Sequence, residues 1–319
     1  MKLRRTRVAL LVGGPSAEHD LSLLSGRTVH KYLDRDKFDV SPILIDRRGR
    51  WPIEIEHLPK MADIAFVGMH GEYGEDGTLQ EVLRDLEVPY TGSDPVASAL
   101  AINKPLVYRI LRASGIRVPK AEIIGRHNAR YLNIDRVRLP VVVRPSNKGS
   151  LTGVSVVRRT EDLEKAINKA LAFNRTVLVE NFIPGRELSC GVMDDGMGNI
   201  FPLPIVEEVV RPSISSGYNP ELAVGSLPEI ILAHLTPEEM GTAQAAAVRA
   251  HQAVGASGIS RLRMTLGEDG ELYGMEINTV PVMAEASFFP RAAIAHGIGI
   301  PEMLERIIDA AFVRHRSLK

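Results

Sequence analysis

The chain of 319 residues carries 39 Lys plus Arg against 39 Asp plus Glu, and 45% of it is hydrophobic. A net charge of zero without a long block of one sign gives no footing for nucleic acid or an anionic membrane as partner. The length allows two or three domains with a sizeable core. A single cysteine, Cys190, excludes an intramolecular disulfide framework and a cysteine-rich zinc site. It is expected to be a buried small apolar residue in a reducing, cytoplasmic setting. The basic start, Met1 to Arg7, precedes too short an apolar run for a signal-peptide core or a membrane span.

In chain order, Val8 to Val12 reads as a buried strand, Ser22 to Leu33 as a helix, and Val40 to Ile45 and Ile64 to Met69 as further strands. Such alternation predicts a parallel sheet flanked by helices, with active groups at the carboxyl ends of its strands. Those ends carry Gly13-Gly14 and His70-Gly71. Helices are expected over Pro95 to Ala101 and Leu106 to Ala113, and Gly115 to Pro119 reads as a linker.

The second part opens with strands Leu139 to Arg144 and Val154 to Arg158 around a glycine-bearing turn, a hairpin rather than a P-loop. The helix Glu161 to Ala172 and the strand Thr176 to Glu180 follow. Beyond Glu187, strands are expected over Leu188 to Met193, Phe201 to Val206, Arg261 to Leu266 and Leu272 to Ile277. The helix Pro237 to Val254 interrupts them, and helices near Arg291 to His296 and Ile300 to Val313 close the chain. Asp269-Gly270 marks the turn of the last hairpin, and Pro212 to Ser226 reads as a lid.

Three segments carry chemistry. The turn Pro145 to Gly153 offers backbone N–H groups, hydroxyls and two glycines beside Arg144 and Lys148, which suits a flap over a triphosphate; an ordinary turn is the blander reading. Glu180 to Glu187, with Phe182 and Ile183 before Pro184-Gly185, can seat an adenine, with Glu187 accepting from ribose hydroxyls. Surface carboxylates on a strand crossing are the blander reading here. Glu276 and Asn278 lie two residues apart on one strand face, where their oxygens can reach one hard cation.

In this order, Gly13-Gly14-Pro15-Ser16-Ala17-Glu18 with Ser22, His70 to Gln80, Pro89 to Ser93, Arg144 to Gly153 and Glu276 to Pro281 resemble the D-alanine:D-alanine ligases. The match runs from about Arg7 to about Ala311. The resemblance implies an ATP-grasp fold of class α/β, turning to α+β in the C-terminal part. It also implies three domains, at 1–100, 101–186 and 187–319, the last two clamping ATP. The implied reaction activates one D-alanine carboxylate as an acyl phosphate, which the amine of a second D-alanine attacks, for peptidoglycan synthesis.

By the same resemblance Glu18 holds the first ammonium, with Ser150 and Tyr218 of the lid completing a triad, and His70 and Glu75 stand at the first substrate. Lys104 and Arg144 meet phosphate, while Glu180, Phe182, Ile183 and Glu187 meet adenine and ribose. Arg261 stabilises the tetrahedral transition state, Glu276 and Asn278 ligate Mg2+, and Ser287 takes the second carboxylate. A homodimer is implied as well.

Several positions depart from the family. Arg263 stands where a third metal ligand, an aspartate, is expected. At about 4 Å and an effective dielectric near 20, that reversal against a divalent ion costs on the order of 16 kcal/mol before relaxation or screening. Arg144 replaces a lysine, and Leu151, Val282 and Glu221 replace a hydroxyl, a glycine and a lysine. These changes predict weakened metal binding and impaired ligation. The alternatives are a degenerate nucleotide-binding paralogue or a ligase for another amino acid or amine.

Overall fold

The computed structural model describes residues 4–126, 138–147, 153–209 and 229–317. Ser150, Tyr218, Lys148, Leu151, Glu221 and the lid reading over 212–226 lie outside the described residues.

The apolar run after Arg7 forms β1 (Thr6–Gly13), flanked in parallel by β2 (Phe38–Ile45) and β3 (Ile64–Val67). Between them run α1 (His19–Tyr32) and the short α2 (Leu58–Met61), followed by α3 (Thr78–Asp85) and α4 (Pro95–Ile102). The expected parallel βα unit is present, and Gly13-Gly14 and His70-Gly71 leave neighbouring strands at one edge. Gly13 and Gly14 hold φ of 90° and 94°, and a Cβ on Gly13 would meet the Ile45 carbonyl at 2.3 Å. Only glycine fits that turn. Helix α1 starts three residues before the expected Ser22, because His19 and Ser22 are buried against this polar edge rather than on an apolar stripe. The helix α3 and the strand β4 (Ala121–Gly125) have no counterpart in the sequence reading.

Helix α5 (Lys104–Ala113) is started by Asn103, whose side chain accepts from Leu106 N, and by Pro105 in the first turn. Its buried face is Lys104, Val107, Tyr108 and Leu111, the spacing of one helical stripe. A second, antiparallel sheet follows in the order β4, β7 (Thr176–Asn181), β5 (Val141–Pro145), β6 (Ser155–Val157), covered by α6 (Leu163–Leu171). The β5–β6 pair is the expected antiparallel hairpin, and residues 148–152 of its turn lie outside the described residues.

The third sheet runs β11 (Glu229–Leu232), β10 (Val206–Val209), β8 (Gly185–Asp194), β12 (Ile259–Gly267), β13 (Leu272–Asn278), with β9 (Ile200–Pro202) also on β8. The single strand expected over Phe201 to Val206 is two. Pro202 and Pro204 have no N–H to donate, so the ladder breaks between β9 and β10. Asp269-Gly270 makes the β12–β13 turn, with Gly270 at φ 78°.

Helix α7 (Pro237–Ala253) opens with a full capping box between Thr236 and Glu239. Its buried Ala243, Ala246, Ala247 and Ala250 let it lie close on β8 and β12. Helix α8 (Phe288–Ala295) begins before the expected Arg291, since Pro290 falls in the first turn, where no N–H is needed. From α9 (Ile300–Ser317), Arg314 reaches back over the Tyr90 ring at 4.3 Å and donates to the Tyr90 carbonyl at 2.8 Å. The C-terminal helix is thereby tied to the first sheet. Cys190 is fully buried, and burial pushes its thiol pKa up, so it is an inert core residue.

Candidate active site

Strands β12 and β13 place the centre of the site. Arg261 pairs with Asn278 and Arg263 with Glu276 across the antiparallel ladder, putting all four on one face. Glu276 is nearly enclosed, and three cations converge on its carboxylate: Lys104 Nζ donates to Oε2 at 2.9 Å, while Arg261 and Arg263 approach Oε1 at 3.4 and 3.7 Å. Burial pushes the pKa of Glu276 up, but Lys104, Arg263, Arg261 and Arg144 outweigh it and hold the carboxyl well below the usual range. Burial lowers the Lys104 pKa, with Glu276 acting against it.

Arg263, in the place expected of a metal-binding aspartate, pairs with Glu276. It also donates through Nε to Glu187 Oε2 at 3.1 Å, and Thr265 Oγ1 donates to the other Glu187 oxygen at 3.1 Å. The carboxylate read as a ribose contact is thus already joined to the one read as a metal ligand.

Behind this group, Glu180 is fully buried between Tyr108, whose hydroxyl donates to Oε2 at 2.6 Å, and Arg144, whose Nε lies 3.4 Å from Oε1. Burial and the Glu180 carboxylate push the Tyr108 pKa well up, so the phenol is the donor. Among the described residues, Arg144 Nε, Glu180 Oε1 and Arg261 Nε are buried without a hydrogen-bond partner. Unmet donors of two guanidiniums beside a buried lysine suit a polyanionic ligand. Phe182 is half-buried with the Arg158 guanidinium 5.9 Å over its ring, and half-buried Ile183 lines a neighbouring cavity with Asn181 and Tyr273.

The other half of the site lies at the edge of the first sheet. His70 is buried: Nε2 meets Ser25 Oγ at 2.8 Å, and Nδ1 faces the Val280 carbonyl at 3.1 Å and Glu75 Oε1 at 3.3 Å. Ser25 Oγ also accepts from Met283 N at 3.0 Å, fastening the chain after β13 to α1. Glu18 N donates to Ser16 Oγ, which donates to the His70 carbonyl at 2.6 Å. Burial first, then the carboxylates of Glu75 and Glu276, raise the Glu18 pKa to about 7, with His70 and Arg261 opposing.

Asn278 joins the two halves. Its Nδ2 reaches Glu75 Oε1 at 3.5 Å and its Oδ1 accepts from Val280 N at 2.7 Å. Ser287 is buried, with its hydroxyl within hydrogen-bond reach of the Val282 and Ala284 carbonyls at 2.7 and 2.6 Å.

Tyr108 and Ser25 were missed from sequence. The signal for Tyr108 was its place four residues after Lys104, on the same helical face. Ser25 lay three residues after Ser22, on the same buried side of α1.

The donors fit magnesium in a reduced form. Glu276 and the Asn278 amide oxygen give one carboxylate and one neutral oxygen, enough for one ion whose other ligands are phosphate oxygens and water. Among the described residues no group of three His, Cys, Asp or Glu side chains could hold a metal ion by itself. No described helix is long and apolar enough to cross a membrane.

The family model described as "D-ala D-ala ligase C-terminus" matches residues 110–309, and "D-ala D-ala ligase N-terminus" matches 7–61 and 52–93. A D-alanine–D-alanine ligase of Geobacter sulfurreducens is 36% identical over 97% of this chain and 95% of its own length. One of Geotalea uraniireducens is 35% identical over 98% of both. Among solved structures, the D-alanine–D-alanine ligase of Coxiella burnetii superposes with a TM-score of 0.87 at 25% identity, covering 99% of this chain and 96% of that one. The ligase of Bacillus anthracis complexed with ATP gives 0.81 at 27% identity, over 98% and 99%. The chain therefore belongs to the D-alanine–D-alanine ligases, ATP-dependent carbon–nitrogen ligases of the ATP-grasp fold.

Proposed function

We propose that the two halves of this site carry out the family's reaction between them, joining two D-alanines at the expense of ATP for the cell wall. The observation that supports this best is the convergence of Lys104, Arg261 and Arg263 on Glu276, one bridging amide away from the Glu75 and His70 pocket. The degenerate paralogue, which Arg263, Val282 and Glu221 suggested, is not favoured, since the relatives are named ligases over nearly full length.

In this reading, ionised Glu18 holds the ammonium of the first D-alanine, and the hydrogen bonds to Ser25 and the Val280 carbonyl fix the His70 ring beside it. Lys104 and Arg144 take the phosphates, and Glu180, Phe182, Ile183 and Glu187 surround adenine and ribose. Arg261 lies where negative charge grows as the carboxylate oxygen is phosphorylated and again as the second amine attacks the acyl carbon, expelling phosphate. Magnesium, on Glu276 and Asn278, would neutralise charge on the phosphates. Ser287 receives the second carboxylate, and Ser150 and Tyr218 assist the second amine.

The division at 1–100, 101–186 and 187–319 is kept as a proposal. It follows the three sheets, although its borders fall inside α4 and β8. A cytoplasmic homodimer belongs to the same proposal.

Incubating the pure protein with ATP, Mg2+ and D-alanine should release phosphate and the dipeptide together, at a rate that needs D-alanine. Phosphate release indifferent to D-alanine, with no dipeptide, would refute it.

A further inference from the structure

Helix α5 carries two buried polar side chains on one face. Lys104 and Tyr108 stand one helical turn apart, and each reaches a carboxylate on a different sheet. Lys104 Nζ donates to Glu276 on β13 at 2.9 Å, and the Tyr108 hydroxyl donates to Glu180 on β7 at 2.6 Å. The helix is itself pinned at its start, where Lys104 N donates to the Ser146 carbonyl just beyond β5 at 3.0 Å. What Tyr108 touches is therefore set by a fixed element.

Glu180 has little freedom of its own. β7 is an interior strand, and at Glu180 it pairs on one side with Ala121 of β4 and on the other with Val142 of β5. The backbone is thereby fixed, and the direction of the carboxylate is left to its side-chain torsions. Tyr108 occupies Oε2; burial first, then the carboxylate itself, hold the phenol pKa well up, so the hydroxyl is the donor. The other oxygen is different. Arg144 Nε lies 3.4 Å from Oε1 without forming a hydrogen bond, and among the described residues Oε1 is buried with no donor. A buried carboxylate oxygen in that state is costly unless a ligand supplies the donor. Phe182 and Ile183 follow directly as half-buried apolar surface, a setting for a flat heterocycle whose edge carries an N–H.

We propose that Tyr108 is a positioning residue for base selection: by holding Oε2 it keeps Oε1 of Glu180 turned to the nucleotide base as a pure acceptor, which admits a purine with a 6-amino group and rejects one with a 6-oxo group. This rests on the reading of Glu180 as an adenine contact given above. An ionised carboxylate only accepts, so it meets the amino group with a charge-assisted hydrogen bond and the oxo oxygen with repulsion. Without the Tyr108 hydroxyl neither oxygen has a donor, and the side chain is free to turn or to take up a proton. A protonated acid donates, and so tolerates the oxo base. Discrimination then relaxes although no group that touches the nucleotide has been replaced.

The test is steady-state kinetics of the full-length protein with ATP and with inosine triphosphate, at saturating D-alanine and Mg2+, for the wild type, Tyr108→Phe, Glu180→Gln and the double variant. The ratio of kcat/KM for ATP over inosine triphosphate should fall by at least about fivefold in Tyr108→Phe, chiefly because the KM for ATP rises. Glu180→Gln, whose amide can donate to a 6-oxo group, should lower the ratio at least as far. Adding Tyr108→Phe to it should then change the ratio by less than about twofold, since both act through one side chain. Tyr108 as a mere core strut would lower thermal stability in the Phe variant but keep the wild-type ratio, and that result overturns the proposal, as does a wild type that uses both nucleotides equally well. If Glu180→Gln also keeps the wild-type ratio, Glu180 does not meet the base, and the reading beneath this inference falls with it. Wild type inactive with both nucleotides refutes the nucleotide reading as a whole. Thermal unfolding of each variant, read in parallel, shows that the ratios are measured on folded protein.

Discussion

The two halves of the site are built on opposite electrostatic plans. At the edge of the first sheet, Glu18 and Glu75 share space with His70, and the surroundings are neutral hydrogen-bonding groups: Ser16, Ser25, the Asn278 amide and the Val280 carbonyl. Between the second and third sheets, Lys104, Arg144, Arg261 and Arg263 crowd around Glu180, Glu187, Glu208 and Glu276, and buried guanidinium N–H donors of Arg144 and Arg261 are left unmet among the described residues. The first arrangement suits a small ammonium-bearing molecule and the second a polyanion. One reaction needs both within reach, and Asn278, two residues from Glu276 on one strand face, spans them.

The contrast can be broken from the basic half first. Arg144→Ala would strip the buried Glu180 carboxylate of its guanidinium partner, leaving the Tyr108 hydroxyl as its hydrogen-bond donor among the described residues, and should lower the unfolding free energy by about 3 kcal/mol. Arg144→Lys should recover most of that loss, and urea unfolding of the two variants reads the difference. Tyr108→Phe removes one hydrogen bond to the same carboxylate and should cost roughly 2 kcal/mol, within the range for bonds to charged groups.

In the acidic half, Ser25→Ala removes the partner of both His70 Nε2 and Met283 N. Stability should fall by about 1 to 2 kcal/mol, and the KM for D-alanine should rise while ATP affinity is unchanged.

The smallest effect expected is on stability against pH. The Glu18 pKa is raised to about 7 in the folded protein, so the folded state binds this proton more tightly than the unfolded chain. Stability contributed by Glu18 is present below the ordinary carboxylate pKa and is lost as pH rises through about 7. Glu18→Gln should therefore be more stable than the wild type at pH 8, by roughly 1 kcal/mol after allowance for solvent, and show no advantage at pH 4. In the wild type, D-alanine affinity should weaken as pH falls below 7, because the ammonium then meets a neutral acid.

Much of this arrangement was legible in the sequence for physical reasons. The glycines after β1 and β3 mark where backbones turn at a sheet edge, and Glu276 and Asn278 share a face because strand side chains alternate. The buried run of Val8 to Val12 and the Asp269-Gly270 turn were equally plain. Partnerships across distant segments were not. Nothing local says that Glu187 meets Arg263, or that Ser25 fastens the segment after β13, because those contacts depend on how sheets and helices pack. The β9–β10 break was locally encoded in Pro202 and Pro204, yet an apolar run masked it. Polar residues facing a polar interior edge, as His19 and Ser22 do, hide a helix from any reading based on apolar periodicity.

The division of labour between the halves is tested most directly by steady-state kinetics of Glu18→Gln and Glu276→Gln with both substrates varied. The account predicts a split: Glu18→Gln raises the KM for D-alanine by at least about tenfold with little effect on that for ATP. Glu276→Gln does the reverse or lowers kcat by about 100-fold at saturating D-alanine. If both variants changed the same substrate's KM to the same extent, the two halves would not be separate binding sites, and the account would be wrong.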